Sequence, residues 1–221
     1  MLKIKKMNTL KFLLLICLTT IYYVSSAQTQ KNDLALTLGV STNPAVENHR
    51  IAFDMSMRYY ISDLFSVGGN FYTFSPKYSH GFGFDTSRTL INMYGINIPL
   101  QYEVVNMKAM SFSVGFSQGV LINVLRDRNQ TTPQEFWDSD TGVGTSWEVP
   151  LKLATDTYFT VAPFVEISNK ILEVDPSKNF SLYLTTRAAY QNAFGGGNFS
   201  KAHNFRNYIL SLGLTLKGTN L

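Results

Sequence analysis

Met110-Ser-Phe-Ser-Val-Gly-Phe-Ser-Gln-Gly-Val-Leu-Ile-Asn-Val124 decides the fold. Met110, Phe112, Val114, Phe116, Val120, Ile122 and Val124 fall on one face of an extended chain. Ser111, Ser113, Gly115, Ser117, Gly119 and Asn123 fall on the other, with Gln118 intruding on the apolar face. A period of two is the signature of a strand with one apolar and one polar face. The polar face carries no charge, whereas a solvent-facing strand surface normally holds Lys and Glu. Small polar residues suit the cramped inside of a narrow barrel.

The same alternation recurs outward in both directions. Ile51, Phe53, Met55, Met57 and Tyr59 alternate with Ala52, Asp54, Ser56, Arg58 and Tyr60. Leu90, Tyr94, Ile96, Ile98, Leu100 and Tyr102 alternate with Thr89, Gly95, Asn97, Gln101 and Glu103. Residues 34–41 and 64–75 follow more loosely, 180–187 and 210–216 closely, and 146–168 hold one phase from Trp147 to Ile167. These segments predict eight strands. Their connections alternate between tight turns at Ser62-Asp63 and Asn106–Lys108 and long polar stretches at 42–49, 76–87, 125–145 and 192–204. Short turns at one end and long loops at the other are the plan of an outer-membrane barrel. Residues 168–179 break the plan, being as long as a loop where a periplasmic turn belongs.

An all-β, eight-stranded, antiparallel up-and-down transmembrane barrel is therefore expected, its apolar face toward lipid and its backbone paired edge to edge because hydrocarbon satisfies no N–H or C=O. Tyr59, Phe65, Tyr102 and Phe180 lie near the short-turn ends, and Trp147, Tyr190 and Tyr208 near the long-loop ends, as two interfacial girdles would require.

The composition agrees: 221 residues, 45% hydrophobic and 15% charged, suit one folded domain. Of nineteen basic residues, Lys3, Lys5, Lys6 and Lys11 precede the apolar run Phe12–Val24, and Ser25-Ser26-Ala27 follow it. That order is a secretory signal with an apolar run too short to span a bilayer, so residues 1–27 are expected to be a cleavable signal peptide and 28–221 the barrel domain. The fifteen basic residues beyond the cut balance fifteen acidic ones, and nucleic acid drops out as a partner. Cys17 is preceded by Ile16 rather than the small residue a lipoprotein site wants. Being the only cysteine, it leaves the mature chain without disulfides or thiolate ligands.

Five features together resemble the small outer-membrane β-barrel family of Bacteroidota known as PorT-like. They are Ser26-Ala27-Gln28, the strand Tyr94-Gly-Ile-Asn-Ile-Pro-Leu-Gln-Tyr102, the Gly/Ser-rich strand quoted first, Thr185-Thr-Arg-Ala-Ala-Tyr190, and Arg206-Asn-Tyr-Ile-Leu-Ser-Leu-Gly-Leu-Thr-Leu216. Outer-membrane barrel chains often end in an aromatic residue; this sequence ends Lys217-Gly-Thr-Asn-Leu221. The resemblance implies a non-enzymatic structural, anchoring or assembly component of the envelope, associated with secretion. It would be a monomeric barrel in outer-membrane lipid, with an envelope or secretion protein as partner and no cofactor. A small-solute pore, a lipid-modifying barrel enzyme and an adhesin are the competing functions.

The candidate site is the lumen. Asp54, Arg58, Glu103, Lys152, Asp156, Glu166 and Arg187 share its phase, and charges withdrawn from water must pair or line a wet cavity. A plug of ion pairs is expected, with Arg187 against Asp54 and Arg58 against Glu103 or Glu166; a conducting lumen is the alternative. His49, His80 and His203 fall in outer loops without ligand spacing, so no metal site is expected. Ser200 and His203 lack a positioned acid for catalysis. Gly195-Gly-Gly197 lacks the Lys-Ser/Thr of a phosphate loop and reads as a mobile turn.

Overall fold

The computed structural model describes residues 31–42, 51–75, 77–78, 81–107, 109–138, 143–175 and 180–219. The leader at 1–27, Cys17, His49, His80, the loop at 43–50, the turn at 176–179 and the end at 220–221 lie outside the described residues.

The alternating segments become β1 (Asp33–Thr42), β2 (Ile51–Tyr60), β3 (Phe65–Phe74), β4 (Lys77–Tyr78), β5 (Thr89–Asn106), β6 (Met110–Asp138), β7 (Val143–Asp175), β8 (Phe180–Phe194) and β9 (Asn207–Thr219). Every pairing is antiparallel between chain neighbours, and two more close the ring: β1 pairs β9 along its whole length, and β3 pairs β5. The two-residue β4 extends the β3 side by pairing Leu90 and Thr89. Eight long strands thus form a barrel without an open edge, the condition hydrocarbon imposes. β1, β2 and β3 are each 10 residues long, the length of a tilted membrane-crossing strand.

The tight turns lie at one end. Ile61 donates its N–H to Phe65 O at 3.0 Å, and Met107 donates to Met110 O at 2.8 Å. The faces are those of a membrane protein: Val114 is 37% exposed and its neighbour Ser113 1%. Met55, Phe53, Ile96, Ile98, Leu210 and Leu212 are likewise exposed, while Ser56, Arg58, Gln101, Glu103 and Glu166 are buried. The polar side chains occupy the inside, and the apolar ones form the outer wall.

Two segments expected as loops are sheet. The 125–145 stretch continues β6 and β7 as a paired ribbon, from Thr131↔Pro150 up to Asp138↔Val143. It rises roughly 25 Å beyond the level where β5 starts, at about 3.3 Å per residue. Residues 131–138 show no apolar alternation, so nothing in that edge announces it, whereas Trp147 and Val149 on the other edge lie in the phase read for 146–168. At the other end, β7 runs to Asp175, absorbing the length of the 168–179 turn through register shifts between Lys170 and Leu172 and between Glu173 and Asp175. Such bulges add residues without breaking the pairing.

Candidate functional site: the filled lumen and its closed mouth

Three polar tiers cross the lumen. At the short-turn end, Glu103 Oε1 accepts from Tyr60 Oη at 2.6 Å and from Lys217 Nζ at 3.1 Å, and the Lys217 ammonium lies 4.5 Å from the centroid of the Tyr60 ring. The middle tier centres on Glu166. Arg58 Nη1 donates to Glu166 Oε1 at 2.6 Å and also contacts Gln101. Arg187 reaches Glu166 Oε2 from Nε at 2.9 Å and Nη2 at 2.7 Å, a two-pronged grip, with its guanidinium over the Phe164 ring. In the third tier Asp54 accepts from Asn70 Nδ2 at 2.7 Å and Ser211 Oγ at 3.0 Å. A hydroxyl chain from Thr37 through Thr215 and Thr185 to Ser168, with links of 2.6–2.9 Å, knits β1, β9, β8 and β7.

The expected Arg187–Asp54 pair is corrected here. Arg187 binds Glu166 because the two residues are direct cross-strand partners on β7 and β8. That register depends on the two bulges below them, which residue counting from a turn does not reveal. Arg58, Glu103 and Glu166 all lie buried in the lumen. Lys152 is a second correction: it is exposed, because a register shift at Leu125–Arg126 pairs Arg126 with Lys152 at the base of the projecting ribbon, where the inner face has ended. Lys217 was missed. Its signal was phase: Ser211, Thr215 and Lys217 alternate with Leu210, Leu212, Leu214 and Leu216, so the lysine had to point inward.

Toward the long-loop end the lumen turns apolar. Tyr72, Met93, Leu121, Leu125, Tyr158 and Phe205 form a buried cluster against which Phe199 packs. Phe199 and Phe205 come from the β8–β9 connection, expected as a long polar loop with a mobile turn at Gly195–Gly197 but folded into the barrel mouth. Its 3-10 turn, Ala202–Phe205, brings Phe205 to 5.2 Å from the Tyr158 ring centroid.

Asp156 holds this plug. Among the described residues it has no cationic partner; its carboxylate accepts the N–H groups of Asn198 (2.5 Å), Phe199 (3.2 Å) and Ser200 (3.0 Å) and the Ser200 hydroxyl (2.7 Å). Tyr158 Oη closes the set at 2.8 Å from Ser200 O. Gly197 is required there: a Cβ would fall 2.0 Å from Tyr158 Oη and 2.4 Å from Asp156 Oδ2. Ser200 is thus a latch partner of a carboxylate, and His203 is exposed.

Of the girdle aromatics, Tyr59, Tyr102, Tyr190 and Tyr208 are exposed on the outer wall and Phe65 and Phe180 half-buried. Tyr190 and Tyr208 pack with ring centroids 4.9 Å apart. Trp147 instead lies on the projecting ribbon, opposite Gln134.

A closed antiparallel sheet with an apolar exterior and a polar, packed interior defines a transmembrane β-barrel of the small outer-membrane type. No family model and no curated protein matches the chain. Among solved structures it is similar to the N-terminal β-barrel domain of Pseudomonas aeruginosa OprF, at 9% identity and TM-score 0.39, covering 85% of this chain and 98% of that one. It is similar also to Neisserial surface protein A, at 13%, TM-score 0.45 and coverage of 85% and 94%. Ail of Yersinia pestis, crystallised with the heparin analogue sucrose octasulfate, matches at 10%, TM-score 0.40 and coverage of 86% and 98%. The barrel assignment rests on this chain's own strand ladder and faces.

Proposed function

We propose that this protein is a closed, non-enzymatic outer-membrane barrel that anchors or helps assemble an envelope machine through its exterior. The observation that carries this reading is the division of the molecule into a blocked interior and an extended outer arm. Ion pairs cross the lumen at two levels and the 195–206 segment fills its mouth, whereas the β6–β7 ribbon projects from the rim. The ribbon carries both tryptophans of the chain, Trp137 69% and Trp147 47% exposed. Exposed tryptophans on a projecting ribbon suit protein recognition, since aromatic anchors dominate interface energetics. On this reading the chain is exported by residues 1–27, and the PorT-like resemblance makes the partner a secretion-associated envelope protein.

The test is a photocrosslinker at Trp147 in native outer membrane, followed by co-purification. A reproducible envelope partner, lost when the ribbon is trimmed, supports the reading; absence of any partner in both forms sinks it. The small-solute pore is the rival, and it requires the plug to be absent in solution.

A further inference from the structure

The wall of the barrel is interrupted twice without a change of register, and each interruption lies opposite a proline. Between β3 and β5 the ladder runs through Val67↔Leu100 and resumes at Asn70↔Asn97, skipping Gly68 and Gly69 opposite Pro99 and Ile98. Pro99 stays in register with Ser117 on its other side. Between β7 and β8 the ladder skips from Val161↔Asn192 to Phe164↔Ala189, across Pro163. A proline has no N–H for its rung, which is why mid-sheet prolines are confined to edges and bulges.

Each broken seam underlies a groove on the outer wall. The one at β3–β5 has a volume of about 400 Å³, within the range of small-ligand clefts. Met55, Met57, Phe71, Ile96 and Ile98 line it, and Gly69 leaves it open: a Cβ there would meet no atom within 4 Å. Its floor is Asn70 and Asn97, which close off the lumen behind. These amides are already engaged, Asn70 Nδ2 with Asp54 and Met55 O, and Asn97 Oδ1 with Thr160 Oγ1 at 3.0 Å. The floor therefore asks for no polar ligand. The groove is continuous with the lipid-facing wall, has no polar rim of the kind protein interfaces carry, and is walled partly by adaptable methionines.

We propose that the β3–β5 groove seats one acyl chain of a membrane lipid as a resident ligand, held more firmly than the chains around the rest of the wall. This rests on the membrane reading above. Ligand and site meet through hydrocarbon alone: the chain fills the space left by Gly69 and covers the seam where Pro99 removes a rung.

The protein is reconstituted into vesicles of phosphatidylethanolamine and phosphatidylglycerol doped with a phosphatidylcholine carrying a diazirine in its acyl chain. After irradiation, labelled peptides are mapped by mass spectrometry. Labelling several-fold higher at Met55, Met57, Phe71 and Ile98 than on the wall outside the groove at Leu210–Leu214 is expected, and Gly69→Phe should bring it down to that wall's level. The wild-type map alone decides if Gly69→Phe fails to fold. Uniform labelling overturns the proposal, as does crosslinking of the groove to a second copy or another protein. Failure of the barrel to insert, seen as full protease sensitivity of its strands, overturns the membrane reading itself and is distinguishable from a folded barrel with an unremarkable groove.

Discussion

Glu166→Gln removes one charge from the middle tier and leaves its shape in place. Glu166 is 2% exposed and accepts from Arg58 Nη1 at 2.6 Å, from Arg187 at 2.9 and 2.7 Å, and from Gln101 Nε2 at 3.3 Å. Arg58 is equally buried, so the variant leaves two guanidiniums, Arg58 and the largely buried Arg187, without the carboxylate that balances them. Breaking a buried ion pair by removing one partner costs about 3–5 kcal/mol, because the remaining charge keeps its desolvation penalty. Asp54→Asn is the matched control. Among the described residues Asp54 is held by the neutral donors Asn70 and Ser211, so losing its charge should cost about 1–3 kcal/mol. Urea titration of the barrel refolded in lipid vesicles, followed by tryptophan fluorescence and heat-modifiable electrophoretic mobility, measures both. Glu166→Gln should lose about 3–5 kcal/mol, and Arg187→Met in the Glu166→Gln background should cost far less than in wild type. Equal costs for Glu166→Gln and Asp54→Asn, or additive effects of Glu166→Gln and Arg187→Met, would refute the account of the middle tier.

Val120→Arg places a cation on the lipid wall in mid-membrane, opposite Ile96, and should cost about 2–4 kcal/mol and block assembly, whereas cysteine at Ser113 should be shielded from lipid-soluble quenchers; normal folding of Val120→Arg with lipid access at Ser113 would invert the faces. Gly197→Ala should unseat the plug segment, since its Cβ overlaps Tyr158 and Asp156, and limited proteolysis should then cut within 195–206 while the barrel stays folded. Asp156→Ala removes the acceptor of three backbone N–H groups and should give the same cleavage pattern; protection equal to wild type in both variants would show that the latch does not hold the segment.

Alternation made the barrel legible, because a one-residue period change would move every side chain to the other face. The same rule put Arg58, Glu103, Glu166 and Arg187 inside and, followed one turn further, would have included Lys217. Where alternation stops, legibility stops. The β6 edge of the ribbon, residues 131–138, carries no apolar alternation, and Lys152 lies beyond a register shift that breaks the phase. The pairing of Arg187 with Glu166 depends on bulges near Ile171 and Val174, which no local composition marks. The plug was unreadable for another reason: Asp156 binds backbone N–H groups, whose positions are set by the fold of residues 197–200 rather than by their side chains. Pro99 and Pro163 sit inside strands, but which neighbouring strand loses a rung follows only from the ladder.

The lumen is blocked from end to end, and planar-bilayer recording of the purified protein tests this most directly. Eight strands leave just enough room for side chains, and here Arg58, Glu166, Arg187 and Lys217 fill the lower half and Phe199 and Phe205 the mouth. The wild-type protein should show negligible steady conductance. Large, stable single-channel steps from the wild-type barrel would contradict the blocked lumen and make the same inward charges the determinants of a pore's selectivity.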